Sequence, residues 1–320
     1  MMKELFVSDK ITQKIQKFDS IIFDCDGVLV DIRNSYDTAI NKTISAIMKE
    51  LFGDDIDDIV TSKIHFGLKS VGGFNDEVAV VYAIIMTLVA SKKSNIPFER
   101  LIINVINNAN ESGINSIDAY FESQNIDLRE LKSKLDYENS RKESYIHKIF
   151  NQLFYGPALY EEIFKEKSQF FQEPLIDLDE IVLDDNLMSK LQNRFGKKIC
   201  TVTGRGIFAF SYSMKNFLNN FDMNSSVFLE DLPLEMAKPN PKSLIESIST
   251  INSKCSLYIG DSMEDLLMVE KCKEFGYDIS FCGIYGSSDE SELKYELFQK
   301  NKASLIIESI QELPKALNLV

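Results

Sequence analysis

The feature that most constrains the fold of this chain is a set of short apolar segments, each followed by acidic, hydroxyl or glycine residues. Short apolar segments with such ends are typical of buried strands. Five of them occur, at residues 19–23, 198–202, 226–229, 257–259 and 279–284. Apolar residues at helical spacing lie between the later segments, and strands that alternate with helices form parallel sheets. We therefore predict an α/β fold with a Rossmann-like parallel sheet, whose ligands bind at the carboxyl ends of the strands.

A long segment without this strand pattern separates the first apolar segment from the others. Residues 34–175 instead show apolar residues at helical spacing, among many Ile, Asn, Glu and Lys residues. The chain has 320 residues, about twice the usual length of a single domain. We therefore predict an α/β core built from residues 1–33 and 176–320, with a large all-helical domain inserted at residues 34–175.

Two local signals inside the insertion predict helix boundaries. Asn75 or Asp76 is a candidate N-cap for the helix that carries a long apolar run at residues 78–90. Gly156 and Pro157 predict a break between two later helices.

The charge balance argues against two classes of partner. The chain has 35 basic and 49 acidic residues, a net charge of −14, and the resulting field repels phosphate backbones and anionic lipids. We expect no nucleic-acid and no membrane partner, and no feature of the sequence points to a protein partner. The apolar run at 78–90 is too short to span a bilayer, and the N-terminus lacks the unbroken apolar stretch of a secretory signal. These features predict a cytoplasmic location.

The cysteine and histidine content excludes two further kinds of site. The five cysteines are odd in number, widely spaced and contain no C-x-x-C pair, which argues against a disulfide framework and a zinc site. Two histidines, His65 and His147, are too few for a histidine-rich metal centre. We expect reduced, mostly buried thiols and histidines with structural roles.

Two acidic clusters follow strand segments and supply the candidate metal ligands. Asp24 and Asp26 come directly after the first segment, and Asp261 and Asp265 belong to a GDSMED sequence that follows a later segment. An acid-x-acid pair alone is weak, because several are expected by chance in so acidic a chain. Two clusters at one edge of a sheet, however, form an oxygen-rich site of the kind that Mg²⁺ prefers.

One further strand end and one loop carry groups that can bind an anion. Thr203 offers a hydroxyl and Gly204 an unhindered N–H just ahead of a predicted helix. Lys238 stands in an Ala-Lys-Pro-Asn-Pro sequence, where the prolines restrict the backbone and hold the ammonium in place. A fixed cation complements a phosphoryl group.

Taken together, these residues resemble the four motifs of the haloacid dehalogenase superfamily of phosphatases. The motifs occur in order as DxDGV at residues 24–28, hydrophobic-Thr-Gly-Arg at 202–205, Lys-Pro-x-Pro at 238–241 and GDSxxD at 260–265. The insertion lies between the first and second motifs, as does the helical cap of the subfamily that resembles phosphoglycolate phosphatase and histidinol-phosphatase-like proteins. The resemblance implies a haloacid dehalogenase-like core and a helical cap.

The resemblance also implies roles for the residues around the reacting phosphorus. Asp24 would be the nucleophile that forms an aspartyl-phosphate, and Asp26 would protonate the leaving alcohol and then activate water. Thr203 and Lys238 would bind and neutralise the phosphoryl oxygens. Gly204 remains a candidate substrate-binding residue through its N–H ahead of the predicted helix. The implied reaction is the hydrolysis of a small phosphorylated metabolite, a phosphate monoester.

A magnesium ion completes the implied site. Asp24, the backbone carbonyl of Asp26 and Asp261 would hold Mg²⁺, and Asp265 would orient Lys238 or a metal-bound water. Asp26 also separates two reactions of this superfamily, because a phosphate ester needs a proton on its leaving group and a halide does not. In the insertion, the GGFND turn at residues 72–76 is a candidate for substrate selection, with Asn75 as the binding residue.

Two alternatives remain open on the sequence. A phosphomutase of the same fold would use the same core residues. A nicotinamide-dependent oxidoreductase is suggested by residues 204–209, which fit the dinucleotide-binding pattern G-x-G-x-x-A with Glu230 further along the chain. This second alternative leaves Asp24, Lys238 and Asp261 without a role.

Overall fold

The computed structural model describes residues 5–74, 76–137 and 144–319 of the chain. The contacts between residues divide the chain into two compact units, Met1–Arg33 with Asp179–Val320, and Asn34–Leu178. The second unit ends three residues after the boundary in the sequence-based assignment. The extra residues form a 3-10 turn, Leu175–Leu178, which packs against a long helix of the helical unit.

The strands of the described residues form one large sheet and one small ribbon. Their bounds are β1 Phe6–Val7, β2 Ser20–Phe23, β3 Val30–Asp31, β4 Glu180–Ile181, β5 Ile199–Thr203, β6 Val227–Phe228, β7 Ser256–Gly260, β8 Ile279–Ile284 and β9 Leu305–Ile307. The large sheet has the order β1-β9-β8-β7-β2-β5-β6, and only β1 runs antiparallel to its neighbour. The predicted α/β fold with a parallel sheet is confirmed, and all five predicted strands are present. The edge strand β1 and its neighbour β9 were not predicted, because they contain too few residues to show a pattern.

The α-helices are distributed between the two units. Their bounds are α1 Asp9–Thr12, α2 Arg33–Phe52, α3 Ser62–Lys69, α4 Glu77–Ser94, α5 Phe98–Asn108, α6 Ile114–Ser123, α7 Arg129–Leu135, α8 Tyr145–Phe164, α9 Asp185–Phe195, α10 Ile207–Ser213, α11 Lys242–Thr250, α12 Met263–Glu274, α13 Ser291–Lys300 and α14 Leu313–Leu317. Helices α2 to α8 form the inserted unit, with no strand among its described residues.

The core of the α/β unit lies on both faces of the sheet. Successive side chains of a strand point to opposite faces. On β2, Ile21 and Phe23 accordingly pack in one apolar cluster, while Ile22 packs in the other. A sheet that is buried on both faces explains why its strands read as unbroken apolar runs rather than alternating ones.

The position of β2 between β7 and β5 determines where the functional residues meet. Phe23 is paired with Thr201 of β5 on one side and with Ile259 of β7 on the other, all in parallel register. The residues that follow these three strands therefore emerge at the same edge. The short ribbon of β3 and β4 lies where the chain leaves and re-enters this unit, with Val30 opposite Ile181.

The helical unit is built around α4. Residues 78–90 of this helix are buried on every side, as the predicted apolar run requires. Asp76 is its N-cap and accepts a hydrogen bond from Val78 N at 2.9 Å, which confirms one of the two predicted caps. The other, Asn75, lies outside the described residues. The predicted break in α8 is also confirmed, because Gly156 has φ 65° and ψ 172°.

The cysteines and histidines have the structural environments expected from the sequence. All five cysteines are free and buried. His65 Nε2 lies 3.1 Å from Glu77 Oε2, and His147 Nε2 lies 3.4 Å from Asp76 Oδ2. In the part of the chain that the structure describes, no helix combines the length and apolarity needed to cross a lipid bilayer.

Candidate active site

Asp24 lies at the carboxyl end of the interior strand β2 and is buried. Its backbone N–H donates to the carbonyl of Ile259 at 2.8 Å, so the sheet hydrogen bonds continue one residue past β2. Its side-chain Oδ1 accepts from Cys25 N at 2.7 Å. Burial raises the pKa of this carboxyl group to about 8 against the opposing effect of Lys238.

A tight turn follows Asp24 and orients both acids of the first motif. The carbonyl of Cys25 accepts from the N–H groups of Leu29 at 2.8 Å and Val30 at 3.0 Å. Gly27 has φ +69°, a left-handed conformation that side chains other than glycine rarely adopt. A Cβ atom at Gly27 would also collide with the carboxylate of Asp261. The glycine of the motif is therefore required by the close approach of two loops.

The ammonium group of Lys238 is fully buried between two carboxylates. Its Nζ lies 3.0 Å from Asp24 Oδ1 and 2.8 Å from Asp265 Oδ1, and 5.8 Å from the centre of the Tyr258 ring. Burial by itself would lower the pKa of Lys238, but the two carboxylates outweigh it and raise that pKa above its usual value. Lys238 is therefore a fixed cation.

Asp265 connects the third and fourth motifs, and both of its carboxylate oxygens are occupied by contacts. Its Oδ2 accepts from Asp261 N at 3.2 Å and from the hydroxyl of Ser262 at 2.7 Å, and Ser262 caps helix α12 in return. Its Oδ1 accepts from the hydroxyl of Tyr258 at 2.9 Å and contacts Lys238. These hydrogen bonds and the lysine hold the pKa of Asp265 below its usual value despite burial.

Asp261 is the acid that follows β7 and is held by partners from the next strand connection. Its Oδ2 accepts from Lys294 Nζ at 2.7 Å and from the hydroxyl of Ser287 at 3.0 Å. Side-chain oxygens of Asp24, Asp261 and Asp265 all lie within 4.8 Å of one another. Three carboxylates this close repel one another unless cations lie among them.

This donor set fits a divalent cation. Carboxylate oxygens and backbone carbonyls are hard ligands of the kind that Mg²⁺ and Ca²⁺ prefer. Because the contacts of Asp265 occupy both of its oxygens, Asp24 and Asp261 are the carboxylates left to coordinate a metal. The buried acidic cluster is therefore compatible with a divalent metal centre.

The end of β5 presents a hydroxyl and an arginine. Thr203 is buried, and its Oγ1 accepts a hydrogen bond from Arg205 N at 3.2 Å, which leaves its own O–H to donate elsewhere. Arg205 Nε donates to Asp26 Oδ1. Asp26 is partly exposed, with 23% of its side chain accessible, whereas the arginine side chain is inaccessible.

Comparison with known proteins decides the family. A family model described as haloacid dehalogenase-like hydrolase matches residues 18–273 of the chain. This protein belongs to that family. No individually curated protein matches this haloacid dehalogenase-like hydrolase significantly.

Solved structures show the same fold. A phosphatase, Tt82, from Thermococcus thioreducens is 22% identical and has a TM-score of 0.57, with 87% of this chain and 98% of that chain covered. A conserved haloacid dehalogenase-like protein from Agrobacterium tumefaciens is 16% identical with a TM-score of 0.50, covering 94% of this chain and 98% of that one. A haloacid dehalogenase-like hydrolase from Bacteroides fragilis is also 16% identical with a TM-score of 0.50, covering 92% and 99%. At these identities, the likeness concerns the fold.

The structure of this haloacid dehalogenase-like hydrolase brings most of the predicted site residues to one edge. Asp24, Lys238, Asp261 and Asp265 form one connected cluster. Thr203 ends the strand next to β2, with Gly204 directly after it. Asp26 lies beside Arg205 rather than beside Lys238 in the contacts that the structure gives. Asn75, the predicted substrate-binding residue, lies outside the described residues.

Three residues of this edge had no role in the sequence analysis. Tyr258 contacts Lys238 and Asp265, Lys294 contacts Asp261, and Arg205 contacts Asp26. Of these three residues, only Arg205 could have been selected from the sequence, since it belongs to the second motif. Tyr258 is one apolar strand residue among others, and Lys294 lies on a helix with no motif.

The dinucleotide-binding interpretation of residues 204–209 is wrong. Such a motif binds a pyrophosphate with the free N–H groups at the start of its helix. Here Gly206 N donates to Glu230 Oε2 at 2.9 Å, and Ile207 N donates to Asp231 Oδ2 at 2.7 Å. In the dinucleotide pattern Glu230 would bind a ribose hydroxyl, but here its carboxylate accepts from an N–H group that a phosphate would need. The N-terminus of α10 thus presents carboxylates of the protein, which would repel a dinucleotide.

Substitution of Gly27 tests the contact between the first and fourth motifs. We expect Gly27→Ala to cost about 1–3 kcal/mol in the free energy of unfolding, because it combines an unfavourable φ with a steric clash. It should also weaken metal binding, since the displaced side chain is Asp261. Urea unfolding and Mg²⁺ titration measure the two effects.

The matched control is Gly196→Ala. Gly196 has φ +60° in the same unit, and nothing lies within 4 Å of a Cβ atom placed there. The Gly196→Ala variant should lose stability only because alanine disfavours this positive φ, and it should keep the metal affinity of the wild type. If Gly27→Ala keeps the metal affinity of the wild type, the result would contradict Asp261 as a metal ligand that the new side chain displaces.

Proposed function

We propose that this hydrolase is a Mg²⁺-dependent phosphatase that cleaves a small-molecule phosphate monoester through an aspartyl-phosphate. The observation that carries the proposal is the buried cluster in which the Lys238 ammonium lies 3.0 Å from Asp24 and 2.8 Å from Asp265, with Asp261 next to them. A carboxylate nucleophile, a fixed cation and metal ligands at one strand edge suit phosphoryl transfer, which depends mainly on positioning and charge stabilisation.

Asp24 is the proposed nucleophile. Its contacts with Cys25 and Lys238 both involve Oδ1, so Oδ2 is the oxygen that we assign to the attack on phosphorus. The new Oδ2–P bond replaces the bond between phosphorus and the ester oxygen, and Asp26 gives its proton to that oxygen. Asp26 then takes a proton from water as the water attacks phosphorus, which releases inorganic phosphate and restores Asp24.

The phosphoryl oxygens need donors and positive charge. Lys238 supplies a charge that cannot move away, because its side chain is fully buried between its carboxylate partners. Thr203 and the N–H of Gly204 are the proposed hydrogen-bond donors at the neighbouring strand end. Asp24, the backbone carbonyl of Asp26 and Asp261 would hold the Mg²⁺. When bound, the ion would neutralise charge on the phosphoryl group and lower the pKa of Asp24.

The presence of Asp26 favours phosphate esters over organic halides. A halide leaves as a stable anion, whereas an alkoxide needs a proton at neutral pH. Asp26 stands two residues after the nucleophile, and its side chain is the more exposed of the two, with 23% accessible against 6% for Asp24. A small phosphorylated metabolite is the proposed substrate, and the net charge of −14 disfavours nucleic-acid substrates. The proposed location is the cytoplasm.

Phosphate release from a panel of monoesters tests the proposal. Purified protein with Mg²⁺ should release inorganic phosphate from an aryl phosphate and from a subset of sugar, glycolate and amino-alcohol phosphates. The variant Asp24→Asn, purified in the same way, excludes a contaminating phosphatase. Isomerisation of a sugar phosphate without net phosphate release would favour the phosphomutase. Absence of both reactions in folded, metal-loaded protein would contradict the proposal.

A further inference from the structure

Arg205 forms a buried polar network behind Asp26. Its Nε donates to Asp26 Oδ1, and its Nη1 lies 2.8 Å from Asp179 Oδ2. The hydroxyl of Ser213 accepts from Nη1 at 2.9 Å and donates to Asp179 Oδ2 at 2.9 Å. The guanidinium group thus connects Asp26 with Asp179, which lies 153 positions further along the chain. Asp179 is the residue at which the chain returns to the α/β unit after the helical insertion.

The burial of this network argues against a purely stabilising role, because the removal of charged groups from water costs free energy. The side chain of Arg205 is inaccessible to solvent, and 4% of the Asp179 side chain is accessible. Taking ionised groups out of water costs several kcal/mol for each ion, and a buried ion pair is often no more stable than an apolar replacement. Apolar side chains would serve the core at least as well.

The geometry of arginine offers a reason for its presence. A guanidinium group is planar and rigid, so two carboxylates bound to different nitrogens are held at a fixed separation and angle. Asp179 and Ser213 fix one end of the group, and the other end then fixes the Asp26 carboxylate. Because the arginine is inaccessible, it reaches Asp26 and not a substrate.

We propose that Arg205, held by Asp179 and Ser213, is a positioning residue that fixes Asp26 for proton transfer to the leaving group. The inference rests on the proposed function, in which Asp26 is the general acid. Misplacement of a catalytic group by about 1 Å can cost about 100-fold in rate. Loss of Arg205 should therefore lower the rate most for substrates whose leaving group needs a proton.

The dependence on the leaving group tests this proposal. The value of kcat/KM reports the steps up to the first phosphoryl transfer, so we compare an alkyl phosphate with p-nitrophenyl phosphate. Asp26→Asn should lower kcat/KM for the alkyl ester by about 10²–10⁴-fold, and far less for the nitrophenyl ester. Arg205→Met should follow the same pattern, with an alkyl-ester loss about 10-fold or more greater than the nitrophenyl-ester loss.

A double variant separates positioning from structural damage. In the Asp26→Asn background, Arg205→Met should add no further leaving-group dependence, since the proton donor is already absent. Equal losses of Arg205→Met on the two esters, or a further selective loss in the double variant, would overturn the proposal. If Asp26→Asn itself shows no leaving-group dependence, the acid assigned in the proposed function fails instead.

Milder variants keep the test decisive if Arg205→Met does not fold. Ser213→Ala removes one of the two supports of the guanidinium group and leaves both ion pairs in place, so it should show a smaller effect in the same direction. Equal effects of Ser213→Ala on the two esters would then overturn the proposal. Lys198→Met is the control. Lys198 precedes β5 and pairs with Asp19, which precedes β2, so this ion pair lies at the end of the two strands that is opposite to the site. The variant should leave the ratio of the two kcat/KM values unchanged.

Discussion

Asp24→Asn is expected to reduce phosphate release by about 10⁴-fold or more, as the removal of a covalent nucleophile does in other enzymes. An amide of nearly the same size has no nucleophilic oxygen and is a poor metal ligand. Steady-state phosphate release with Mg²⁺ measures the loss. Retention of more than a small fraction of activity would contradict the assigned nucleophile.

The same variant should keep its fold and gain stability at neutral pH in the absence of metal. Burial raises the pKa of Asp24 to about 8 in the folded protein, against an ordinary value of 3.8. Between these values the folded state holds a proton that the unfolded state has released, so the stability contributed by this group falls as pH rises. Asp24→Asn removes this decline. Thermal melting at pH 5 and pH 8 in EDTA should show a smaller difference than in the wild type.

Asp19→Asn is the matched control for this substitution. Asp19 precedes the same strand, and hydrogen bonds from Ser253 and its neighbours outweigh burial and lower its pKa to about 2. Its stabilisation is present above the ordinary pKa and is lost as pH falls through about 2, the opposite sign to Asp24. Asp19→Asn should therefore lower the Tm at neutral pH and retain phosphatase activity.

Removal of the metal is expected to abolish activity without unfolding the protein. Excess EDTA should reduce phosphate release to background, because without the ion the raised pKa of Asp24 keeps the proposed nucleophile largely protonated at neutral pH, and no cation then neutralises charge on the phosphate. The two apolar clusters of the core do not depend on a metal, so the fold should persist. Mg²⁺ should restore activity, and Ca²⁺ should restore much less because its coordination is looser. Full activity in excess EDTA would exclude the proposed metal dependence.

Thermal stability provides a second readout of the metal. An ion that binds the folded state alone stabilises it by RT ln(1 + L/Kd), where L is the ion concentration, so the Tm rises with the logarithm of that concentration once it exceeds the Kd. Mg²⁺ should raise the Tm of the wild type and have much less effect on Asp261→Asn. Lys273→Met is a control, because this lysine pairs with Glu270 on the surface of α12 and contacts no residue of the site.

The sequence was informative where a local pattern carries the chemistry. Asp24, Gly27 and Asp265 belong to turns whose hydrogen bonds lie within a few residues, and Asp265 with Ser262 forms a capping box that can be read from four letters. The strands of the sheet were predictable because they are buried on both faces. Lys238 was selected through its flanking prolines and its order among the motifs.

Long-range pairings were beyond the sequence. Arg205 and Asp26 are 179 positions apart, and they meet because β2 and β5 are neighbours in the sheet. Glu230 fits the dinucleotide pattern by spacing, yet its carboxylate caps the helix that it was expected to leave open. Periodicity does not specify which charged side chain reaches which partner, because long side chains turn toward the nearest opposite charge in three dimensions.

By itself, the sequence determined the alternation of strands and helices, the helical insertion and the acids that follow the strands. These features depend on the spacing of apolar residues and on turn chemistry, which act over a few positions. Only the tertiary structure decided that Lys238 lies between Asp24 and Asp265, that Tyr258 and Lys294 support the site, and that Arg205 holds Asp26. Those contacts depend on strand order and register, which bring distant parts of the chain within a few ångströms of each other at one edge of the sheet.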